Sequence, residues 1–344
     1  MKKIINVILS GILIFIAFDL CYAADKSKAL IRIAYPSVGT LVNGQVGQVL
    51  EKTDILEQNG LQGAVTAFQY GPPMMEALLS GKIDVALTSE QNVVVLLAKG
   101  FPARVIASLG SAGRLGLLVP VNSPIKSILD LKGRKVGTVF GSSAHRPILV
   151  WLKEENLIPG KDVDVINMSG GELNAALVNS SIDAIMSWDP FVEDFIQKNI
   201  ARLIKAQPFS LAVIMAEDFI QKNPEAAAEF LISLKEAALY MATHKEQVNN
   251  WYSQLCRLDI KSIDESSKFN TIYKNAKTLS DIDITPTEDF IKTLKDIADF
   301  LFTEGLTSKK ADIATGVDLE LIKKAEEMLS KIQYDPSMLK VIAE

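Results

Sequence analysis

Short β-branched runs alternate with helix-forming segments along this chain, and the alternation limits its fold more than any other feature. Strands are predicted at 30–34, 65–68, 83–87 and 104–109, with a helix between each pair. After residue 126 the alternation begins again, with strands predicted at 135–139, 163–166, 182–187 and 201–204. Parallel strands joined by right-handed helical connections produce such a pattern. The sequence therefore predicts two α/β units.

Two apolar strands lack a preceding helix and are predicted to cross between these units. They lie at 115–120 and 210–215, so residues 28–114 plus 210–344 are predicted to form lobe 1 and residues 115–209 an inserted lobe 2. Beyond 217 the chain is predicted to be almost wholly helical, with amphipathic helices around 230–241, 287–303 and 318–333. Two lobes joined by two strands form a hinged clamp that closes on a ligand.

The segment 135–145 predicts an anion site. A β-branched strand ends at Gly141, and Ser142 or Ser143 is placed to cap the helix that follows. The unpaired N–H groups and the dipole of that helix together favour an anion. The alternative is an ordinary capped turn between a strand and a helix.

The other strand ends extend this candidate site, because ligands of open α/β sheets bind beyond the carboxyl ends of the strands. These ends carry hydroxyl, aromatic, glycine and a few charged residues, which is typical of a pocket for a small polar ligand. The predicted ligand-binding residues are Tyr35, Pro36, Tyr70, Gly71, Thr88, Ser89, Glu90, Ser111, Arg114, Gly141, Ser142, Ser143, Ala144, His145, Trp188 and Asp189.

The charged residues of this set leave the ligand's charge open. Arg114 either clamps a sulfonate or carboxylate or is a solvated surface residue. Asp189 either begins a helix as an N-cap or faces the cleft together with Glu90. Two inward carboxylates would suit an amine, hence a zwitterion or an aminopyrimidine, whereas outward ones favour a simple anion.

The aromatic and histidine side chains also have two interpretations each. His145 either hydrogen-bonds a ligand oxyanion or only packs within the first helical turn, and packing is favoured. Trp188 and Tyr35 either wall the pocket or belong to the core.

Composition excludes several functions. The net charge of −5 over 344 residues argues against nucleic acid and anionic lipid as partners. Two histidines and two cysteines are too few for a zinc site or a Cys–His nucleophile pair. We therefore predict no catalytic residue, no metal and no cofactor.

The N-terminus predicts export. Lys2 and Lys3 precede an apolar stretch from Ile4 to Phe18, and Cys21-Tyr22-Ala23 then places small residues at −3 and −1 of a cleavage site, which is typical of a signal peptide cleaved after Ala23. A retained membrane anchor is the alternative, although the stretch is shorter than the ~20 residues of a span. Lipid attachment at Cys21 is another. The mature protein is expected in the periplasm with Cys256 as its one cysteine, so no internal disulfide can form.

Four motifs carry a family resemblance: the segments 71–84, 128–136, 141–145 and 179–191. In this order they resemble the periplasmic substrate-binding proteins of the nitrate/sulfonate/taurine type, which share a fold with thiamine-pyrimidine synthase-like proteins. The resemblance spans most of 28–240 and departs from the family at Tyr70 and Glu90.

The resemblance implies a type II periplasmic-binding fold with a helical C-terminal extension. It implies a monomeric, non-enzymatic ABC transporter component that delivers a small anionic or zwitterionic solute to membrane permease subunits. The ligand's head is expected at 141–145. The alternatives are an enzyme on the same fold (thiamine-pyrimidine synthase-like or a lyase of quinone biosynthesis), a thiamine-pyrimidine importer component, and a binding protein that reports to a membrane sensor.

Overall fold

The computed structural model describes residues 28–269, 273–331 and 334–343. The predicted signal peptide, its cleavage site and Cys21 lie outside the described residues. Within those residues, no helix combines the length and apolarity needed to cross a membrane.

One mixed eight-stranded sheet organises the chain, in the order β2-β1-β3-β8-β4-β7-β5-β6. Strand β1 is parallel to β2 and β3. Strand β5 is likewise parallel to β6 and β7. Between these two parallel groups, β4 and β8 run antiparallel to each other. The strands are β1 Ala29–Pro36, β2 Leu61–Phe68, β3 Val85–Ser89, β4 Ala103–Pro120, β5 Lys135–Thr138, β6 Asp164–Asn167, β7 Ala184–Trp188 and β8 Ala201–Ala216.

The two central strands are longer than the sequence predicts. The predicted strands 104–109 and 115–120 are one strand, β4, and those at 201–204 and 210–215 are one strand, β8. The glycine-containing segment between the halves of β4 is typical of a strand end. It stays in the sheet because β8 pairs with it through shifts of register around Gly110 and Gly113. A Cβ at Gly113 would lie 2.1 Å from the Phe209 ring, so only glycine fits there.

The described α-helices cover the faces of the sheet and fill the C-terminal third. They are α1 Leu41–Lys52, α2 Ile55–Gln58, α3 Gly71–Leu79, α4 Glu90–Ala98, α5 His145–Glu154, α6 Gly170–Val178, α7 Phe191–Gln197, α8 Glu217–Lys222, α9 Pro224–Thr243, α10 Lys245–Cys256, α11 Ile260–Ser267, α12 Glu288–Thr303, α13 Ile313–Gly316 and α14 Glu320–Leu329. The largely helical C-terminal region agrees with the prediction. The helix predicted between the first two strands is two helices, α1 and α2, because the extended residue Thr53 interrupts it and pairs with Val341.

Helix α1 packs closely against the sheet because two of its residues lack side chains. A Cβ on Gly47 would lie 2.1 Å from the Tyr35 ring, and one on Gly44 would lie 2.2 Å from the Tyr252 ring. Both tyrosines are fully buried. These contacts hold α1 against β1, which carries Tyr35, and against α10, which carries Tyr252.

Replacing Gly47 with alanine should therefore destabilise the fold, although alanine favours helices. We expect Gly47→Ala to lower the free energy of unfolding by about 1–3 kcal/mol, because a methyl group is forced into a filled core. The control is Gly171→Ala on α6, where the nearest atom lies 3.7 Å from the added Cβ. Urea unfolding should show the loss for Gly47→Ala and none for Gly171→Ala. Equal stability of the two variants would contradict this packing.

Candidate functional site

A small cavity lies where the carboxyl ends of five strands meet. It encloses about 20 Å³ of free space, little more than one water molecule occupies. Its walls come from the ends of β1, β2, β3 and β7 and from the turn after β5. The lining residues are Pro36, Val38, Gly39, Thr40, Tyr70, Gly71, Met74, Thr88, Ser89, Asn92, Ser142, Ser143 and Trp188.

The N-terminal ends of four helices converge on this cavity. Thr40 precedes α1, Gly71 begins α3, Ser89 precedes α4, and Ser143 lies two residues before α5. Each end carries a partial positive charge and backbone N–H groups without an intrahelical acceptor, although α3 has fewer of these donors because Pro72 and Pro73 lack an N–H. The first turns of α1, α3 and α5 carry no acidic residue that would neutralise this charge. The arrangement favours an anion.

In two of these helices the N-cap side chain makes no hydrogen bond to the helix. Thr40 and Ser89 are the N-cap residues of α1 and α4, yet neither side chain bonds to its own helix. Both hydroxyls are buried without a hydrogen-bond partner among the described residues, as is Oδ1 of Asn92. An N-cap serine or threonine ordinarily accepts from the helix N–H groups, and buried polar atoms ordinarily have partners. The hydroxyls and the helix N–H groups are therefore both available to a ligand.

The turn after β5 supplies the opposite wall. The Ser143 hydroxyl accepts a hydrogen bond of 2.9 Å from Nε1 of Trp188, which fixes the indole beside the cavity. The Ser142 hydroxyl donates to the Val139 carbonyl and accepts from the Ala144 N–H. The residue at the N-cap position of α5 is Ala144, so the prediction that Ser142 or Ser143 caps this helix is wrong. The turn instead orients Trp188.

Arg114 and Asp189 bind each other rather than lining this cavity. The guanidinium contacts both carboxylate oxygens at 2.7 Å, and Glu193 at 2.8 Å. The Phe269 ring covers it, 3.7 Å from the guanidinium carbon. Burial raises the pKa of Asp189, and Arg114 partly offsets that shift. Arg114 is therefore not a solvated surface residue, and Asp189 already has a cationic partner.

Glu90 is buried beside the cavity without lining it. Its Oε2 has no hydrogen-bond partner among the described residues. Burial raises the pKa of this carboxyl to about 7, while the charge of Arg146 on α5 acts in the opposite direction. The side chain thus keeps its proton to a higher pH than an exposed glutamate does.

Tyr35 and His145 have structural surroundings. Tyr35 is fully buried in the core, where its hydroxyl hydrogen-bonds with Glu51 and Gln48. The His145 ring stacks on Phe140 with centroids 4.2 Å apart. Burial lowers the pKa of His145 to about 4, so the ring is neutral at physiological pH. The packing interpretation of His145 agrees with these contacts.

Eight of the sixteen predicted residues line the cavity: Pro36, Tyr70, Gly71, Thr88, Ser89, Ser142, Ser143 and Trp188. The other eight lie elsewhere: Tyr35, Glu90, Ser111, Arg114, Gly141, Ala144, His145 and Asp189. Of these, Ser111 is exposed and Ala144 is fully buried.

Sequence reasoning missed five lining residues: Val38, Gly39, Thr40, Met74 and Asn92. Thr40 carries a signal, since a threonine directly before an amphipathic helix is a typical N-cap. Asn92 carries no such signal, because its side chain in the first turn of α4 becomes part of the cavity wall only when α3 packs beside α4. A Cβ on Gly71 would lie 1.8 Å from the Asn92 amide.

Among the described ranges, no cluster of three or more His, Cys, Asp or Glu side chains could hold a metal ion. The lining residues of the cavity include no charged side chain. The negative charge of an anion in this cavity would therefore be balanced by helix ends and hydrogen-bond donors.

The mixed α/β sheet with a polar cavity at its strand ends has the fold of the periplasmic binding proteins. The NMT1/THI5 like family matches residues 57–248, more than half of the chain. The protein belongs to this family.

Three known proteins illustrate the similarity. A provisionally named aliphatic sulfonates-binding protein of Bacillus subtilis (strain 168) is 29% identical over 80% of this chain and 81% of its own. The crystal structure of the periplasmic aliphatic sulphonate binding protein SsuA from Escherichia coli is 25% identical, with a TM-score of 0.69, covering 85% of this chain and 92% of that one. The desulfurization enzyme DszB shares the fold at 14% identity and a TM-score of 0.64, over 88% and 99% of the two chains.

The raised pKa of Glu90 makes stability depend on pH. The folded state holds the proton up to about pH 7, whereas the unfolded chain releases it near the ordinary value of 4.5. The stabilisation that this proton provides is therefore complete below pH 4.5 and is lost as the pH rises through 7. Over this range the wild-type protein should lose up to about 3 kcal/mol of unfolding free energy relative to Glu90→Gln, whose amide does not titrate.

Chemical unfolding at pH 5 and pH 8 checks this expectation, with the exposed Glu155→Gln as control. The control should keep a constant difference from wild type at both pH values. A constant difference for Glu90→Gln as well would contradict the assignment of its proton.

Proposed function

We propose that this protein is the extracytoplasmic solute-binding component of an ABC importer and captures a small organic oxyanion. The observation that carries the proposal is the pair of unmade helix caps at Thr40 and Ser89, whose buried hydroxyls point to an absent hydrogen-bond partner. Similarity to sulfonate-binding proteins supports a sulfonate as the class of anion.

The uncharged lining favours an anion with a single negative charge. The partial charges of the helix ends are spread over several N–H groups, Glu90 in the first turn of α4 opposes the charge of its own helix, and no lysine or arginine in the lining adds a full positive charge. A sulfonate or nitrate fits this better than a phosphate dianion. The zwitterion alternative is weakened, since Asp189 is paired with Arg114 and Glu90 does not line the cavity.

The proposed clamp divides the chain into lobe 1 (28–114 plus 210–344) and lobe 2 (115–209). Three lining residues, Ser142, Ser143 and Trp188, come from lobe 2 and the others from lobe 1. The long strands β4 and β8 would act as the hinge, and their glycine-marked irregularities support bending there. Because the cavity has room for little more than one water molecule, the lobes would have to part to admit the anion, and closure would then bury it and present both lobes to the permease.

The remaining parts of the proposal concern the state of the protein. It is exported by cleavage after Ala23 and acts as a periplasmic monomer, with lipid attachment at Cys21 as the alternative form. It catalyses no reaction and needs no cofactor.

An enzyme on the same fold is the second candidate, and the similarity of the fold to DszB favours it. The surroundings of the cavity argue against it. The Ser142 hydroxyl is used by the backbone, and His145 is stacked on Phe140 with its pKa lowered by burial. Recovery of a bound sulfonate intact after long incubation would support binding, whereas release of sulfite or sulfate would support the enzyme.

The first test is titration calorimetry of the mature protein with ethanesulfonate. We expect binding, and we expect Ser89→Ala to weaken it ten- to a hundredfold, because one hydrogen bond to a charged group contributes about 1.5–3 kcal/mol. The control is Ser233→Ala, a buried serine of α9 whose hydroxyl donates to the Glu229 carbonyl, away from the cavity and the hinge. It should leave the affinity unchanged. Equal losses in the two variants would contradict the role of the Ser89 hydroxyl.

Small-angle scattering on the same samples tests the clamp. Ligand should reduce the radius of gyration of the wild-type protein. An unchanged radius with saturating ligand would argue against closure of lobe 1 on lobe 2.

A further inference from the structure

A second, smaller cavity lies next to the first. It encloses about 10 Å³, room for a single water-sized group. Thr40 lines both cavities, so they are neighbours. The residues around the second cavity are Thr40, Leu41, Gly113, Arg114, Asp189, Phe209, Ser266 and Phe269.

Two buried hydroxyls without partners line this second cavity. The Ser266 side chain is 1% exposed and that of Thr40 is 8% exposed, and neither hydroxyl has a hydrogen-bond partner in the described part of the chain. Ser266 lies in α11, which packs on both α1 and α7. Leaving a buried hydroxyl unpaired costs about 1–3 kcal/mol, so a group that bonds to it is strongly favoured.

The charges at this cavity are already paired. Arg114 takes both oxygens of Asp189 and one of Glu193, and its guanidinium lies under the Phe269 ring. An incoming ammonium group would have to compete with a bidentate arginine for these carboxylates. An incoming carboxylate would compete with Asp189 and Glu193 for Arg114. A neutral group disturbs neither pairing.

We propose that the second cavity is a subsite for the far end of the bound solute and takes a neutral hydrogen-bonding group, a hydroxyl above all. This inference rests on the proposed function, because it places the anionic head of the same solute in the first cavity. The Ser266 hydroxyl bonds the solute's terminal hydroxyl, the Thr40 hydroxyl, which lines both cavities, donates to the anionic head, and the buried Phe209 ring forms an apolar wall. The solute class is thus a short oxyanion with a hydroxyl on its second carbon or close to it.

Three probes that differ only at the far end test the subsite: ethanesulfonate, 2-hydroxyethanesulfonate and 2-aminoethanesulfonate. We expect the hydroxyl compound to bind wild-type protein about five- to tenfold more tightly than ethanesulfonate, the gain of one neutral hydrogen bond. The amino compound should bind more weakly than the hydroxyl compound.

Ser266→Ala should abolish the preference and leave the affinity for ethanesulfonate unchanged. The matched control is Ser262→Ala, one turn earlier on α11. Its buried hydroxyl bonds to Asp194 at 2.8 Å and lines neither cavity. This variant should keep the full preference even where it lowers thermal stability, and both variants are compared at matched folded fraction.

The outcomes separate this inference from the proposed function. Equal binding of ethanesulfonate and its hydroxyl derivative, or a preference that survives Ser266→Ala, would overturn the subsite and leave the importer function standing. Tighter binding of the amino compound than of the hydroxyl compound would contradict the proposal that the subsite takes a neutral group. Binding of none of the three would overturn both the sulfonate assignment and the subsite.

Discussion

The antiparallel pairing of β4 with β8 is the constraint on which the rest of the structure depends. These two strands alone join the parallel group β2-β1-β3 to the parallel group β7-β5-β6 in the sheet. Because each strand crosses the whole junction, the carboxyl ends of both groups face one another there. A break in either strand would separate the walls of the cavity.

The cavity contains buried polar atoms whose missing hydrogen bonds lower the stability of the fold, and a ligand that bonds to them would restore this stability. Thr40, Ser89 and Asn92 each keep a buried polar atom without a partner among the described residues, and Glu90 keeps a carboxylate oxygen in the same condition. A folded protein ordinarily pairs such groups, since each unpaired one costs about 1–3 kcal/mol. Only the Thr40 and Ser89 hydroxyls can donate to an anion, and their position at converging helix ends favours one, whereas the Asn92 amide oxygen and a Glu90 carboxylate oxygen would accept from a donor group.

Much of the architecture could be predicted because it follows from local pattern. The alternation of apolar runs and helices anticipates the helical C-terminal region and all eight strands, although it divides β4 and β8 into two segments each. The continuity of β4 could not be predicted, since Gly110 and Gly113 mark a strand end unless a partner strand supplies the hydrogen bonds. The pairing of Arg114 with Asp189 could not be predicted either, because it depends on β7 lying beside β4 in the sheet.

The sequence by itself determined the fold class, the family motifs and the set of strand ends where a small polar ligand would bind, because periodicity and turn chemistry are local. Tertiary structure alone decided which hydroxyls remain unpaired, because that depends on every neighbour of a buried atom. Thr40 and Ser266 lie more than two hundred residues apart in the chain and share one cavity only after α1 and α11 pack together. Long-range packing of this kind leaves no trace in local residue patterns.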